Sequence, residues 1–116
     1  MQSSSLRFAR AVQAVTTAAR SLGLVVPGFR SPPRLVGVHR SIKRWPGGAT
    51  VAVVVRDRPW AAVQSDLVEG VVAANSLTSP AADGARAALW LALEAEADAP
   101  PLTPPEPVLP ARVEAA

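Results

Sequence analysis

Residues 35–56 constrain this chain more tightly than any other stretch. Two runs rich in β-branched residues flank Trp45-Pro46-Gly47-Gly48. With that tetrapeptide as the loop, Arg44 faces Ala49, and pairing continues as Ile42 with Val51, Arg40 with Val53 and Val38 with Val55. One face then gathers Val36, Val38, Ile42, Val51, Val53 and Val55. The other gathers His39, Ser41, Lys43, Thr50, Ala52, Val54 and Arg56. A slip of one residue opposes Val38 to Arg56 and Lys43 to Val51 and mixes the faces. Side chains alternate with period two, so the first register is strongly preferred. A two-stranded hairpin is marginal in water, and the valine face therefore requires helices over it. The opposite face keeps Val54 and Ala52 among polar groups, with sheet edges open to a second chain.

Three helices are available to cover the valine face. Ser3 to Ser5 cap the first, which runs to about Ser21 with Phe8, Val12, Val15, Ala19 and Leu22 at helical spacing. Gly23 is its stop signal. Residues 24–26 read either as a third strand beside the hairpin or as a buried connector. Three prolines make residues 27–34 stiff and extended, a connector or an arginine clamp. After the hairpin, Asp57 is the N-cap candidate of a second helix, with Pro59 in its first turn and its end near Asn75. Trp60, Val63, Leu67, Val71 and Ala74 mark its inner face. Gly70 costs up to about 1 kcal/mol in a helix interior relative to Ala, a cost that a tight helix–sheet contact would explain. Ser79-Pro80 opens a third helix that ends near Ala97. Ala85, Leu89 and Leu93 form one stripe on it, while Trp90 and Leu91 diverge from that stripe in different directions.

The expected fold is α+β, in the order α-β-β-α-α. A small antiparallel hairpin, or three strands if 24–26 joins it, is packed by three helices on one face within residues 1–98. Residues 99–116 carry Pro100, Pro101, Pro104, Pro105, Pro107 and Pro110 and read as an extended or disordered tail. Hydrophobic residues make up 49% of the chain, yet only three Trp and two Phe are aromatic. A core built from Ala and Val depends on close backbone approach more than on large side chains. The first 25 residues, rich in Ser and Arg and without acids, have the composition of a targeting segment. Gln13, Thr16 and Thr17 interrupt any secretory apolar run, and the segment is read as a structural helix. No run reaches the roughly 18 apolar residues needed to span a bilayer. Without cysteine, neither a disulfide framework nor a thiolate metal site is open to the chain, which fits a reducing cytoplasm.

Chemistry-bearing patterns are sparse. His39 is the lone histidine, and Cys and Tyr are absent. The Pro46-Gly47-Gly48 glycines lie in a hairpin and not between a strand and a helix, so no phosphate loop is indicated. Asp66 and Glu69 are neighbours on a helix surface and read as an acidic face pairing with hairpin arginines. No catalytic, cofactor or metal site is expected. A helix–hairpin–helix–helix order also differs from the winged-helix order, because no helix-turn-helix precedes the hairpin.

Charge is the informative feature. Residues 1–65 hold ten Lys/Arg and one acid, Asp57, whereas residues 66–116 hold two Arg and eight acids. Such asymmetry implies an anionic partner for the first half or a charge match between the halves. Arg30, Arg34, Arg40, Lys43, Arg44, Arg56 and Arg58 fall within 29 residues. The register places Arg40 on the apolar face, where Glu69 is a candidate to neutralise it.

The leading expectation is a non-enzymatic binding or regulatory module acting through contacts with another protein chain, itself or a different one, with Trp90 and Leu91 as its interface. The alternative is nucleic-acid association through the basic hairpin, with Arg30, Arg34, Lys43, Arg44, Arg56 and Arg58 on phosphates and Trp45 stacked on a base. The proline-rich composition generates one expectation for stability. Deleting residues 101–116 should change the unfolding free energy by less than about 1 kcal/mol, as a surface change does. A larger loss in urea titration would show that the segment packs on the domain.

Overall fold

The computed structural model describes residues 4–33, 40–45 and 48–98, with Ser4 and Trp45 as backbone only. The elements are α1 (Ser4–Ser21), β1 (Gly28–Arg30), β2 (Arg40–Trp45), β3 (Gly48–Val53), α2 (Trp60–Ala74) and α3 (Ala81–Asp98). β2 and β3 pair antiparallel, with Arg44 opposite Ala49, Ile42 opposite Val51 and Arg40 opposite Val53. This is the register that hydrophobic alternation favours. Pairing extends one rung further than expected, to Trp45 and Gly48, so the connection spans only residues 46–47. Val36, Val38 and His39, the expected Val38–Val55 pair and the proline-rich 99–116 segment lie outside the described residues.

The third strand is Gly28–Arg30, not residues 24–26. It runs parallel to β3, pairing Gly28 with Thr50, Phe29 with Val51 and Arg30 with Ala52. The sheet is therefore three-stranded and mixed, in the order β1-β3-β2. Pro27 and Pro32 bracket β1 and confine it to three residues at an edge, where proline is tolerated. Residues 24–26 form the connector. The Asn75 side chain serves it as a partner: Val25 N–H donates to Asn75 Oδ1 at 2.8 Å, and Asn75 Nδ2 donates to the Val25 carbonyl at 2.9 Å. One carboxamide thus satisfies both backbone groups of Val25, as a neighbouring strand would.

Helix boundaries follow local chemistry. α1 ends in a Schellman arrangement: Gly23 sits at φ +75°, Gly23 N–H bonds to Arg20 O, and Leu24 N–H bonds to Ala19 O. Asp57 does not cap α2. It adopts φ +58° in the turn after β3, a left-handed conformation that Asp tolerates better than most residues, and Pro59 takes the N-cap position. α3 begins just after Ser79-Pro80, with the Ser79 hydroxyl donating to Asp83. No helix among the described residues is long and apolar enough to cross a membrane.

One core joins all the layers. Ala11, Val15 and Ala19 of α1, Val63, Leu67, Val68 and Val71 of α2, and Leu89 and Leu93 of α3 close over Val51 and Val53 of β3. α2 packs directly on β2 and β3, and α1 and α3 pack on α2 and on each other. α2 buries more than the single stripe expected of it, adding Val68, Gly70 and Val72 because it lies against the strands on one side and helices on the other. Gly70 sits where α2 meets β3. A Cβ there would stand 2.8 Å from a Val51 methyl and 3.3 Å from the Phe29 ring.

That spacing sets an expectation for Gly70→Ala. Helix propensity alone favours Ala by up to about 1 kcal/mol. Overpacking a filled core costs roughly 1–3 kcal/mol and here wins. The variant should lose about 1–2 kcal/mol of unfolding free energy, and adding Val51→Ala should recover part of that loss in a double-mutant cycle. A stabilised Gly70→Ala would mean that α2 and β3 are further apart than described.

Candidate functional site on the open sheet face

The face of the sheet away from the helices is built by the outward-pointing half of the register. One cross-strand row is Gly28, Thr50 and Lys43, and the next is Arg30, Ala52 and Ser41. Small residues thus occupy the central strand, and a long cation stands on each flanking strand. The result is a depression of about 270 Å³ lined by Arg30, Ser41, Lys43, Thr50 and Ala52. Ala52 and Val54 were expected among polar groups, yet they are only 4% and 5% exposed. In the register Ala52 lies between Arg30 of β1 and Ser41 of β2. At Gly28 an added Cβ would meet the Thr50 hydroxyl at 3.9 Å, so the missing side chain helps keep this part of the face low.

No acidic side chain among the described residues lines the depression. Arg30 and Lys43 are both exposed, and neither side chain has a hydrogen-bond or ion-pair partner among the described residues. Ser41 and Thr50 add hydroxyl donors between them. The arrangement can hold an anion. It presents no nucleophile–base pair, and no group of three His, Cys, Asp or Glu among the described residues is placed to hold a metal.

The remaining basic residues divide by what they touch. Arg44 reaches under the sheet and donates to the Ala73 and Ala74 carbonyls at the C-terminus of α2, where a cation also suits the helix dipole. Arg58 bonds to the Val54 carbonyl at 2.8 Å and to Asp66 at 2.7 Å. Arg56 is 78% exposed in the turn after β3, with Asp57 4.0 Å away. Arg34 lies outside the described residues, and Trp45 is described only as backbone paired with Gly48. Of the seven residues expected to contact nucleic acid, the structure brings Arg30 and Lys43 together. It ties up Arg44 and Arg58 and leaves Arg56 apart.

The expected internal charge match is partly present. Arg10 pairs with Glu96 at 2.9 Å and Arg58 with Asp66, each joining the basic half to the acidic half. Asp66 and Glu69 do not share one partner. Glu69 accepts two hydrogen bonds from Arg86 of α3, at 2.7 and 2.9 Å. These bonds hold the Glu69 carboxyl below its ordinary value against the opposing effect of burial, and the charges of Arg86 and Arg40 add to the lowering. Arg40 thus acts on Glu69, but Arg86 supplies the bonds. On α3, Leu91 is 66% exposed, while Trp90 is half-buried and packs against the core. At least one of the two, Leu91, is therefore exposed, and Trp90 is the less exposed.

Sequence reasoning missed the roles of Asn75, Gly28 and Arg44. Asn immediately after a helix was the available signal for the first, since its side chain can replace missing backbone partners. No protein-family model matches the chain, and neither the curated proteins nor the solved structures contain a significant match.

The Glu69–Arg86 pair makes a pH prediction. The folded-state pKa of Glu69 is depressed below 4.5, so its contribution is present above the unfolded value and is lost as pH falls through the folded one. Glu69→Gln should flatten the acid limb of stability below about pH 4.5 relative to wild type. Urea titrations at neutral and acidic pH check this. Parallel acid limbs would show that the pair contributes nothing to folding.

Proposed function

We propose that the protein is a non-enzymatic binding module that engages an acidic segment of a partner protein through the open sheet face. The observation that supports this most is the one-sided covering of the sheet. Among the described residues, the side away from α2 carries Arg30 and Lys43 with hydroxyls between them and no acid lining the depression. Part-buried ion pairs and bonds to the end of α2 already employ Arg10, Arg44 and Arg58, which leaves Arg30 and Lys43 as the cations of the depression. Protein partners of complementary charge suit such a patch.

Nucleic acid is the less favoured occupant. Tracking a phosphate backbone takes a row of cations, and base recognition on a sheet uses exposed aromatics. Phe29, the aromatic of β1, faces the helices and not this surface. Nor does α3 offer a stronger docking site, because Leu91 is the one large hydrophobic residue well exposed on it.

The test compares a glutamate-rich decapeptide with short DNA and RNA duplexes across a salt series. The peptide should perturb backbone amide resonances of β1, β2 and β3 on the outer face, and Lys43→Glu should abolish the effect. Duplex binding should be weak, with a log–log salt slope shallower than about −2, equivalent to about two phosphates. A steep slope, near −4 or beyond, would replace this reading with the nucleic-acid one.

A further inference from the structure

We propose that the depression between Arg30 and Lys43 is a phosphoryl-binding site, and that its occupant is a phosphorylated serine or threonine of the partner protein. The inference rests on the open face being a protein-docking surface. It goes further by naming the group that anchors there.

The geometry begins with strand spacing. β1 and β2 are separated by β3, which puts their backbones roughly 10 Å apart at about 4.8 Å per step. Arg30 and Lys43 lie in adjacent rows, on opposite flanks of the central strand. Their long side chains line the same depression from opposite sides. The floor between them is Ala52 and Thr50 of β3, with Ser41 beside Lys43 on β2. A ligand there is flanked by a planar guanidinium with several donors, an ammonium and two hydroxyl donors.

Charge and size select the ligand class. Two cations with no facing acid among the described residues match a phosphomonoester, which carries close to two negative charges at neutral pH. A carboxylate carries one and has two oxygens in place of three. At about 270 Å³ the depression is smaller than sites that enclose a whole drug-sized ligand, which run to roughly 300–1,000 Å³. It fits a head group, with the remainder of the ligand lying over the surrounding sheet. Arginine with a second cation is also the usual means of reading phosphorylated motifs.

The experiment titrates the full-length, isotope-labelled protein with a capped Ala-phosphoserine-Ala peptide at constant ionic strength, following backbone amides by NMR. Saturable shifts should centre on Gly28, Arg30, Ser41, Lys43, Thr50 and Ala52. Affinity should fall about fourfold from pH 7.5 to pH 5.5, because the second phosphate pKa is about 6. Arg30→Gln and Lys43→Gln should each weaken binding by about tenfold or more, with an unchanged melting temperature because both side chains are exposed. Absence of saturable shifts, or shifts that both variants retain, overturns the proposal. Inorganic phosphate binding as tightly as the peptide overturns the assignment to a phosphorylated side chain. If the unphosphorylated glutamate-rich peptide binds this face and the phosphopeptide does not, the phosphoryl site falls while the acidic-partner reading stands. If neither binds, both fall.

Discussion

The contact between Gly70 and Val51 sets the thickness of this protein. α2 approaches β3 so closely that a single methyl at Gly70 would stand 2.8 Å from Val51. A chain with three Trp, two Phe and many Ala and Val cannot fill wide gaps between layers. Close approach replaces large side chains, and glycine at the contact is the condition for it. The consequence propagates through the helices. With α2 pressed onto the strands, its far side is available to α3, and Leu89 and Leu93 complete the same core as Val51 and Val53. The buried breadth of α2 follows from that position between layers.

Electrostatics is layered in the same way. Cations near the helices are employed by the fold: Arg10 with Glu96, Arg58 with Asp66, and Arg44 with the carbonyls ending α2. Arg7 stacks on the Trp60 ring, 4.3 Å from its centroid. Arg30 and Lys43, on the far side of the sheet, have no such employment among the described residues. The asymmetry between the basic and acidic halves of the sequence is therefore two effects superimposed. Part of it closes internally across the helices, and part is displayed at the surface, with Arg30 and Lys43 on the open sheet face. Only the second part can recruit an anionic partner.

How much of this was legible beforehand depends on whether the signal is local. The β2–β3 register was legible because one slip of Val53 or Ile42 would place it on the wrong face. Gly23 and Gly70 were legible as a helix end and a close approach, for which glycine has specific physical causes. β1 was not, because three residues between prolines carry too little alternation to distinguish a strand from a connector. Asp57 read as a cap because Asp-x-Pro is a common helix start, yet the chain needed a left-handed turn there first. The candidate site was half legible. Lys43 was correctly placed on the outer face, but its pairing with Arg30 depends on a parallel strand that pattern alone did not reveal.

That dependence shows how topology makes the site. In a two-stranded hairpin, Lys43 would share its outward row with Thr50 alone, and Ala52 would lie at a sheet edge. Adding β1 on the other side of β3 turns the small residues of β3 into a floor and supplies Arg30 as the opposing wall. The same strand places Phe29 against Gly70 on the inner side. One three-residue strand therefore couples the helix packing to the charged depression through alternate side chains. Its inner residue answers the packing constraint of α2, and its next residue faces solvent with a positive charge. Phe29 is held by burial at the helix–sheet contact, and the pleat then fixes Arg30 on the opposite face. The cation is placed by packing on the side of the sheet that it does not touch.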